Sequence, residues 1–317
     1  MLNLIFEFNG GLGNQIFQYL ASRYLKKELK NNSLSYYISD YLKSEYRNIE
    51  INKITSTEIK LVEKREPNLN NFVINKALTK FLILSKKKKF ALKNYFGCLN
   101  SINEKDIYSM DPGKNTIITL EKKIKEINYN KNLFINIEGY WQNPDCYINH
   151  IEDFQKLFKD YYNEKTIFLK NTNYISIHIR RGDYINDKKN FKYYFSKFSP
   201  LNYIISALNL LPQEVNELPI YIITDDIKWA TKLKEIIQSN YPNKISVLCN
   251  DDPKIDWTIL RSSRINICAN STFSYSAAIL NNKNISSKLR CIIPQWISND
   301  KSSKEMGWIS FPGFFEL

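Results

Sequence analysis

The sequence lacks the cysteine pattern of a disulfide scaffold. Its 5 cysteines are scattered, and no two of them form a C-x-x-C pair. They are Cys98, Cys146, Cys249, Cys268 and Cys291. An odd number of cysteines without framework spacing is typical of a protein kept in a reducing compartment.

Long apolar runs are also absent. No stretch combines the length and the apolar composition that a membrane-spanning helix needs. The first residues do not read as a signal peptide, because Glu7 and the glycines after it interrupt the apolar run. We therefore expect a cytoplasmic protein.

Acidic residues are in deficit, with 32 of them against 45 basic residues and a net charge of +13. Such a surplus favours anionic partners, namely nucleotides, phospholipid surfaces or nucleic acid. The chain contains no recognised nucleic-acid-binding motif. We expect no nucleic-acid partner, and a basic nucleic-acid-binding protein is kept as an alternative.

The length of 317 residues predicts two domains, and 43% hydrophobic with 24% charged residues is an ordinary globular composition. From residue 173 onward, strands and helices alternate, which predicts a parallel, right-handed, doubly wound α/β sheet. The predicted strands are 174–179, 220–224, 245–249, 265–269 and 289–293. The predicted helices between them are 201–211, 227–238, 255–262 and 270–280.

A glycine-rich loop follows the first predicted strand, Leu2–Phe8, and opens a helix. The loop, Gly10–Gln15, matches neither the G-x-G-x-x-G fingerprint nor a Walker loop. Glycines at a helix amino terminus let the backbone approach an anion, but a purely structural turn is equally consistent with the pattern. Gly11 and Asn14 are the ligand-binding candidates here.

Charged residues gather where the strand at Ile175–Ile179 ends. Two adjacent arginines, Arg180 and Arg181, suit the paired hydrogen bonds that phosphate oxygens accept. His178 and Asp183 flank them and either read a base or orient an arginine. The alternative is an ordinary strand end with solvated charges.

Further polar clusters follow the next strands, at Thr224–Asp226, Asn250–Asp252 and Asn270–Ser274. The carboxyl ends of parallel strands meet at one edge of a sheet, where ligands bind. We therefore expect a diphosphate site at this edge. The aspartate pairs either hold a divalent metal, cap helices or accept hydrogen bonds from a base or ribose.

Two other segments allow alternative interpretations. Tyr140–Asp145 is an aromatic and polar loop that suits a sugar ring or forms a packed turn, and helical spacing follows from Tyr147 to Tyr162. The amphipathic stretch Phe72–Asn94 carries Lys86–Lys89, which forms either a membrane-surface helix or a solvated face.

Taken in order over almost the whole chain, these segments resemble glycosyltransferase family 11, the inverting fucosyltransferases that use GDP-fucose. The resemblance is carried by Gly10–Gln18, Glu138–Gln142, His178–Asp183, Thr224–Asp226, Asp256–Trp257 and Ala269–Ser274. It implies an α/β, GT-B-like fold of two Rossmann-like domains with a cleft between them. Residues 1–165 would form the acceptor-side domain, and residues 166–317 the GDP-sugar (donor) domain.

The resemblance also implies residue roles. Arg180 would bind the β-phosphate and stabilise the departing GDP, with Asp183 and Asn14 as further catalytic candidates. His178 and Asp256 would contact the guanine, and Asn14 would reach the donor from the other domain. The remaining donor-side candidates are Gly11, Arg181, Thr224, Asn270, Ser271, Thr272, Phe273 and Ser274. The acceptor-side candidates are Tyr140, Trp141 and Gln142.

The implied reaction moves L-fucose to a galactoside, usually through the 2-hydroxyl of β-galactose, with no metal or other cofactor. The acceptor would be a lipid-linked surface glycan of the O-antigen or lipopolysaccharide type, reached at the inner face of the plasma membrane. The general base stays open among Asp183, Glu7, Glu138 and a diphosphate oxygen. Transfer from another GDP-sugar and a non-catalytic binding module are the alternatives.

The sequence departs from the family pattern at one point. Many relatives have two tryptophans or Trp-Gly after the Asn270–Ser274 segment, whereas Tyr275 and Ser276 stand here. This difference affects the acceptor side and therefore the identity of the acceptor.

Overall fold

The computed structural model describes residues 2–29, 32–38, 50–62, 101–105, 107, 116–126, 133–281, 288–308 and 311–317. The chain divides into two compact units. The described residues of Met1–Gly10, Phe17–Ile49 and Glu58–Trp141 form the first, and those of Gly11–Ile16, Glu50–Thr57 and Gln142–Leu317 form the second. The simple division at residue 165 stays a prediction, and so does the cleft.

The first unit is built on a parallel sheet of four strands in the order β2-β1-β4-β3. Its strands are β1 (Leu2–Phe8), β2 (Asn32–Ile38), β3 (Ser101–Asn103) and β4 (Leu133–Glu138), and its helices include most of α1 (Leu12–Glu28) and α3 (Thr116–Glu126). The short helix α2 (Ile51–Ile54) belongs to the second unit.

The second unit contains a parallel sheet of six strands in the order β12-β9-β8-β5-β6-β7. Its strands are β5 (Ile175–Ile179), β6 (Ile220–Thr224), β7 (Ile245–Leu248), β8 (Ile265–Ile267), β9 (Cys291–Ile293) and β12 (Phe314–Glu316), beside an antiparallel pair of β10 (Trp296–Ser298) and β11 (Lys301–Ser302). Its other helices are α4 (Ile151–Gln155), α5 (Gly182–Asn186), α6 (Lys188–Phe195), α7 (Pro200–Asn209), α8 (Ile227–Gln238), α9 (Pro253–Arg261) and α10 (Thr272–Ile279). Two parallel, Rossmann-like sheets confirm the predicted α/β, GT-B-like class.

The core of the second unit explains why the central strands could be identified from the sequence. Ile175, Ile177 and Ile179 of β5 are fully buried, and they pack in one cluster with Ile220 and Ile222 of β6. Burial on both faces of a parallel sheet produces this concentration of isoleucine. The alternate residues, among them His178, therefore lie on the other face of β5.

Helix α8 illustrates how a local signal and the core agree. Asp226 caps its amino terminus by accepting a hydrogen bond from the backbone N–H of Trp229. Ala230, Leu233 and Ile237 recur at helical spacing and are all buried. The helix has the predicted bounds because capping residue and apolar stripe coincide.

The helix predicted from Tyr147 to Tyr162 is wrong beyond its first part. The chain forms a 3₁₀ turn at Asp145–His150 and then α4, which ends at Gln155. Past this point the backbone pairs with the segment around Thr55: Ser56 N–H donates to Leu157 O at 2.7 Å and Lys159 N–H donates to Ile54 O at 2.8 Å. Tertiary pairing thus overrides the apolar spacing.

Two further points concern the membrane prediction. Within the described parts of the chain, no helix combines the length and the apolar character needed to cross a bilayer. The segment Phe72–Asn94 with Lys86–Lys89 lies outside the described residues.

Candidate active site

The strand-end candidates of the second unit lie at the carboxyl-end edge of its sheet, and His178 is the candidate that lies on β5 itself. Its side chain is 7% exposed, and its ring centroid lies 5.4 Å from that of Phe273. Burial lowers the pKa of His178 to about 3, so the imidazole is neutral at physiological pH. Nδ1 is buried without a hydrogen-bond partner among the described residues, so this nitrogen can serve a ligand.

Arg180 follows β5 and is held by two carboxylates. Its Nη2 lies 2.9 Å from Asp183 Oδ1, and its Nη1 lies 2.7 Å from Asp225 Oδ2. The guanidinium carbon lies 5.7 Å from the centroid of the Tyr184 ring. Burial opposes the charge, but the carboxylates of Asp225 and Asp183 outweigh it and raise the pKa of Arg180. The group stays cationic and is 34% exposed, which leaves it accessible to an anion.

Arg181 is more firmly packed. Its Nε donates to Asp226 Oδ2 at 3.0 Å, and its guanidinium carbon lies 4.7 Å from the Trp229 ring centroid. Its backbone N–H donates to Asp225 Oδ1 at 2.8 Å. These contacts tie Arg181 to the start of α8. An anionic ligand would therefore have to bind Nη1 or Nη2 of Arg181, because Nε is engaged by Asp226.

The start of α10 contributes a second group of candidate residues to the site. Ser271 caps the helix by accepting from Phe273 N–H at 3.3 Å, and Ser274 Oγ donates to Ser271 O at 3.3 Å. Asn270 Nδ2 donates to the carbonyls of Tyr194 and Ile297, whereas its Oδ1 is buried with no partner in the described structure. Both serine hydroxyls are engaged in the cap, and the helix amino terminus remains a favourable place for an anion.

The glycine loop packs directly on this helix start. A Cβ at Gly13 would lie 2.5 Å from Phe273 N and 2.6 Å from Thr272 C, so only glycine fits. Asn14 Oδ1 accepts hydrogen bonds from Thr272 Oγ1 and from Gln142 Nε2, each at 2.9 Å. The segment Gly11–Ile16 belongs to the second compact unit, so Asn14 meets α10 within one unit, where the resemblance implies an approach from the other domain.

Nearly the whole chain, with the glycine loop, the arginine pair and the capped helix included, matches the model of one protein family. The model of glycosyl transferase family 11 matches residues 3–310. The chain belongs to glycosyltransferase family 11. It is therefore an enzyme that transfers a glycosyl group.

Relatives of this family 11 glycosyltransferase include two proteins of Escherichia coli. An alpha-1,2-colitosyltransferase is 26% identical over 281 residues, with 86% of each chain covered. The O-antigen biosynthesis glycosyltransferase WbnK is 28% identical over 314 residues, with 93% of this chain and 95% of that protein covered. Among solved structures, E. coli heptosyltransferase WaaC with ADP is similar with a TM-score of 0.44 and 10% identity, over 99% of this chain and 93% of that chain.

Asp256 of the family 11 enzyme lies in the first turn of α9, next to the end of β7. Asn250 Nδ2 donates to its Oδ1 at 2.5 Å, and Asn163 Nδ2 donates in turn to Asn250 Oδ1 at 3.4 Å. Burial raises the pKa of Asp256 to about 7, against the effect of the Asn250 hydrogen bond. Thr224 is buried, and its Oγ1 accepts from Asp226 N–H at 2.9 Å, which shapes the turn into α8.

Tyr140 and Trp141 belong to the first unit. Their backbone N–H groups donate to Glu104 Oε2 at 2.7 and 2.9 Å, and Trp141 adopts a positive φ of 53°. The Trp141 side chain is buried, which favours the packed-turn alternative for this residue. Tyr140 is 41% exposed.

The sequence suggested Asp183 as a partner of the arginines and placed Asp225 and Asp226 at the same sheet edge, but it did not indicate that Asp225 and Asp226 pair with the arginines. Asp225 and Asp226 lie one strand away in the sheet, and only the register of β5 on β6, with Ile179 opposite Thr224, brings them to the arginines. The clusters at two neighbouring strand ends were the available signal. No group of three or more His, Cys, Asp or Glu side chains in the described parts of the chain is arranged to hold a metal ion. Metal independence stays a prediction.

Proposed function

We propose that this family 11 glycosyltransferase moves L-fucose from GDP-β-L-fucose to the 2-hydroxyl of a β-galactose unit in a surface glycan. The acceptor hydroxyl attacks the anomeric carbon from the face opposite GDP, so that β-linked fucose becomes α-linked. Family membership supports the transfer chemistry. The names of the two relatives, an alpha-1,2-colitosyltransferase and an O-antigen glycosyltransferase, support the linkage and the kind of glycan.

The single observation that carries the proposal is the position of Arg180. It is a cation held at the carboxyl-end edge of a parallel sheet, beside β5, whose His178 contacts the start of α10. Negative charge accumulates on the diphosphate as the glycosidic bond breaks. A fixed guanidinium at that oxygen stabilises the transition state more than the ground state.

The other donor contacts are proposed by position. Neutral His178, with its unpartnered Nδ1, and Asp256 contact the guanine, and the N–H groups at the start of α10 hold phosphate. Arg181, Thr224, Asn270 and Ser271 are the further donor-side candidates, and each also makes a structural hydrogen bond described above. No metal or other cofactor enters the proposal.

The acceptor side is proposed from Tyr140 and Gln142, with Asn14 oriented by Gln142 and Thr272. Asp183 is the base candidate nearest to Arg180, and its pairing with that arginine competes with a role as base. Glu138 Oε1 accepts from Tyr37 Oη at 3.0 Å, and Glu7 lies on β1. A pH–rate series on Asp183→Asn, Glu7→Gln and Glu138→Gln separates these candidates.

Transfer of colitose is the second candidate, favoured by the name of one relative. Colitose is L-fucose without its 3-hydroxyl group. A site that hydrogen-bonds this hydroxyl would reject the deoxy sugar strongly, whereas a site that only encloses it would accept both. GDP-mannose tests the wider alternative of another GDP-sugar.

The deciding experiment incubates the protein with GDP-fucose, GDP-colitose or GDP-mannose and a panel of α- and β-galactosides, with the product linkage determined by NMR. The expected product is an α-1,2-linked fucosyl β-galactoside. Binding of the donor without transfer or hydrolysis would favour a non-catalytic module. Steep salt dependence of binding to random oligonucleotides, without any effect of GDP, would favour a nucleic-acid-binding protein.

A place at the inner face of the plasma membrane is part of the proposal, since a lipid-linked acceptor would be presented there. The net charge of +13 is suited to an anionic surface. Flotation with anionic liposomes tests this point, and protein that stays wholly unbound contradicts it.

A further inference from the structure

Asp225 contacts both arginines of the candidate site, although no role in binding or catalysis has been assigned to it. It follows β6, the strand next to β5 in the sheet. Both of its carboxylate oxygens are engaged: Oδ2 lies 2.7 Å from Arg180 Nη1, and Oδ1 accepts from the backbone N–H of Arg181 at 2.8 Å. The Asp225 carboxylate therefore fixes both the side chain of Arg180 and the backbone of Arg181.

The glycine after the arginines makes this arrangement sterically possible. A Cβ at Gly182 would lie 2.9 Å from Asp225 Oδ2 and 3.2 Å from its Cγ. Any side chain at residue 182 would therefore push the carboxylate away from Arg180. The Arg-Arg-Gly segment and Asp225 form one structural unit, although they lie far apart in the sequence.

From this geometry we propose that Asp225 is a positioning residue, which holds the Arg180 guanidinium in the orientation that binds the departing diphosphate. The proposal rests on the proposed function for the identity of the ligand. Asp225 and Asp183 hold Nη1 and Nη2 from two sides, and the Tyr184 ring lies 5.7 Å away. A guanidinium has five N–H donors, so the two ion pairs leave donors free for phosphate oxygens.

Holding the cation has an electrostatic consequence as well. Two carboxylates beside Arg180 weaken its attraction for a ground-state diphosphate, because they partly neutralise the cation. They also hold the guanidinium in place, so that it need not reorient while the glycosidic bond breaks. Such preorganisation stabilises the transition state. Loss of the Asp225 carboxylate is therefore expected to lower kcat much more than it lowers the affinity for GDP.

Asp225→Asn is the informative variant. The asparagine oxygen can still accept from Arg181 N–H, but its amino group cannot accept from Arg180. We expect kcat to fall about tenfold to a hundredfold, the scale of a misplaced catalytic group. The Kd for GDP is expected to stay within about threefold of the wild-type value. The variant loses both the repulsion between the Asp225 carboxylate and the diphosphate and the restraint on Arg180, and these two losses have opposite effects on GDP binding. Gly182→Ala should produce the same pattern by displacing the carboxylate.

A double-mutant cycle separates positioning from a structural role. In an Arg180→Ala background the contact with Asp225 is already lost, so Asp225→Asn should change the residual kcat by less than about threefold. The same loss of kcat in both backgrounds would overturn the proposal, because Asp225 would then act through the fold. An unchanged kcat in Asp225→Asn alone, or complete loss of GDP binding by a folded variant, would overturn it as well.

The matched control is Asp187→Asn. Asp187 caps α6 by accepting from Lys189 N–H and lies outside the contacts of the arginine pair. Asparagine is an equally good capping residue, so the melting temperature, kcat and the Kd for GDP should all stay unchanged.

A readout without any ligand distinguishes failure of this proposal from failure of the proposed function. NMR of the protein labelled with 15N-arginine should show restricted rotation of the Arg180 guanidinium in the wild type and faster rotation in Asp225→Asn. Identical behaviour in both would overturn the positioning role. If the wild type binds no GDP and transfers no sugar while this difference is present, the proposed function fails and the positioning role stands.

Discussion

At the scale of single residues, Arg180 is the group whose chemistry the proposed reaction needs most. We expect Arg180→Ala to lower kcat by about 10²–10³ or more, roughly 3–4 kcal/mol of transition-state stabilisation, while the fold survives. Arg180→Lys should fail too, because an ammonium cannot make the paired contacts of a guanidinium. Steady-state kinetics and circular dichroism measure the two effects.

Arg264→Lys is the control for this prediction. Arg264 directly precedes β8, so it lies at the amino-end edge of the same sheet, opposite to the candidate site. Its variant should retain normal kcat. Near-normal turnover of Arg180→Ala would show that the role proposed for Arg180 is wrong.

Asp256 should make donor binding depend on pH. Its pKa is raised to about 7 by burial, so it is mostly protonated below that pH in the free protein. Guanine N1–H and its amino group are both donors and need the ionised carboxylate. The affinity for GDP should therefore fall as the pH is lowered from 8 to 6, by about tenfold per unit well below the pKa.

Calorimetric titrations of GDP at several pH values check this prediction. Asp256→Asn should bind GDP more weakly and without this pH dependence. A wild-type affinity that is flat between pH 6 and pH 8 would mean that Asp256 does not contact the base in its ionised form.

At the scale of elements, the glycine loop packs closely against the start of α10. A Cβ at Gly13 would meet the backbone of Thr272 and Phe273 within 2.7 Å, and backbone cannot move aside as a flexible side chain can. We expect Gly13→Ala to lower the free energy of unfolding by about 1–3 kcal/mol, as overpacking usually does.

Urea unfolding measures the loss of stability in Gly13→Ala, and steady-state kinetics tests the site. Displacement of α10 should also separate Thr272 from Asn14, so kcat/KM is expected to fall with the stability. A variant with normal stability and normal kinetics would contradict the packing described here.

At the scale of the whole molecule, the net charge bears on whether a metal ion is needed to bind the diphosphate. Near the candidate diphosphate position, Arg180 and Arg181 are paired with Asp183, Asp225 and Asp226, while the chain as a whole carries +13. The overall field and the start of α10 favour an anion without a cation bridge. We therefore expect transfer to continue unchanged in excess EDTA.

Loss of activity in EDTA that Mg²⁺ or Mn²⁺ restores would contradict this expectation. It would indicate that a cation bridges the diphosphate to a carboxylate such as Asp183. A control with EDTA already saturated by Ca²⁺ excludes an effect of the chelator itself.

The fold of the second unit was predictable because its signals are local and strong. β6 and α8 have the predicted bounds, since buried isoleucines and a capping aspartate mark them. β12 was missed because Phe314–Glu316 is too short to show a period. The helix at 147–162 was mispredicted because pairing with residues 54–56, distant in sequence, ends it early.

The candidate site was predictable only in part. The arginines and the capped helix follow strands that the sequence reveals, so their shared edge could be inferred. The pairing of Arg180 with Asp225 depends on the register of two strands and on a glycine that admits the carboxylate. Neither feature leaves a periodic signal in the sequence, so the pairing is visible only in the folded structure.

The close approach at Gly13 also bears on how this protein can evolve. Every other amino acid carries the carbon that collides with the backbone of Thr272 and Phe273, so no single amino-acid substitution at this position leaves the packing undisturbed. The position can drift only after the opposing segment has shifted. A diverged relative with a larger residue here would therefore be expected to hold its donor differently.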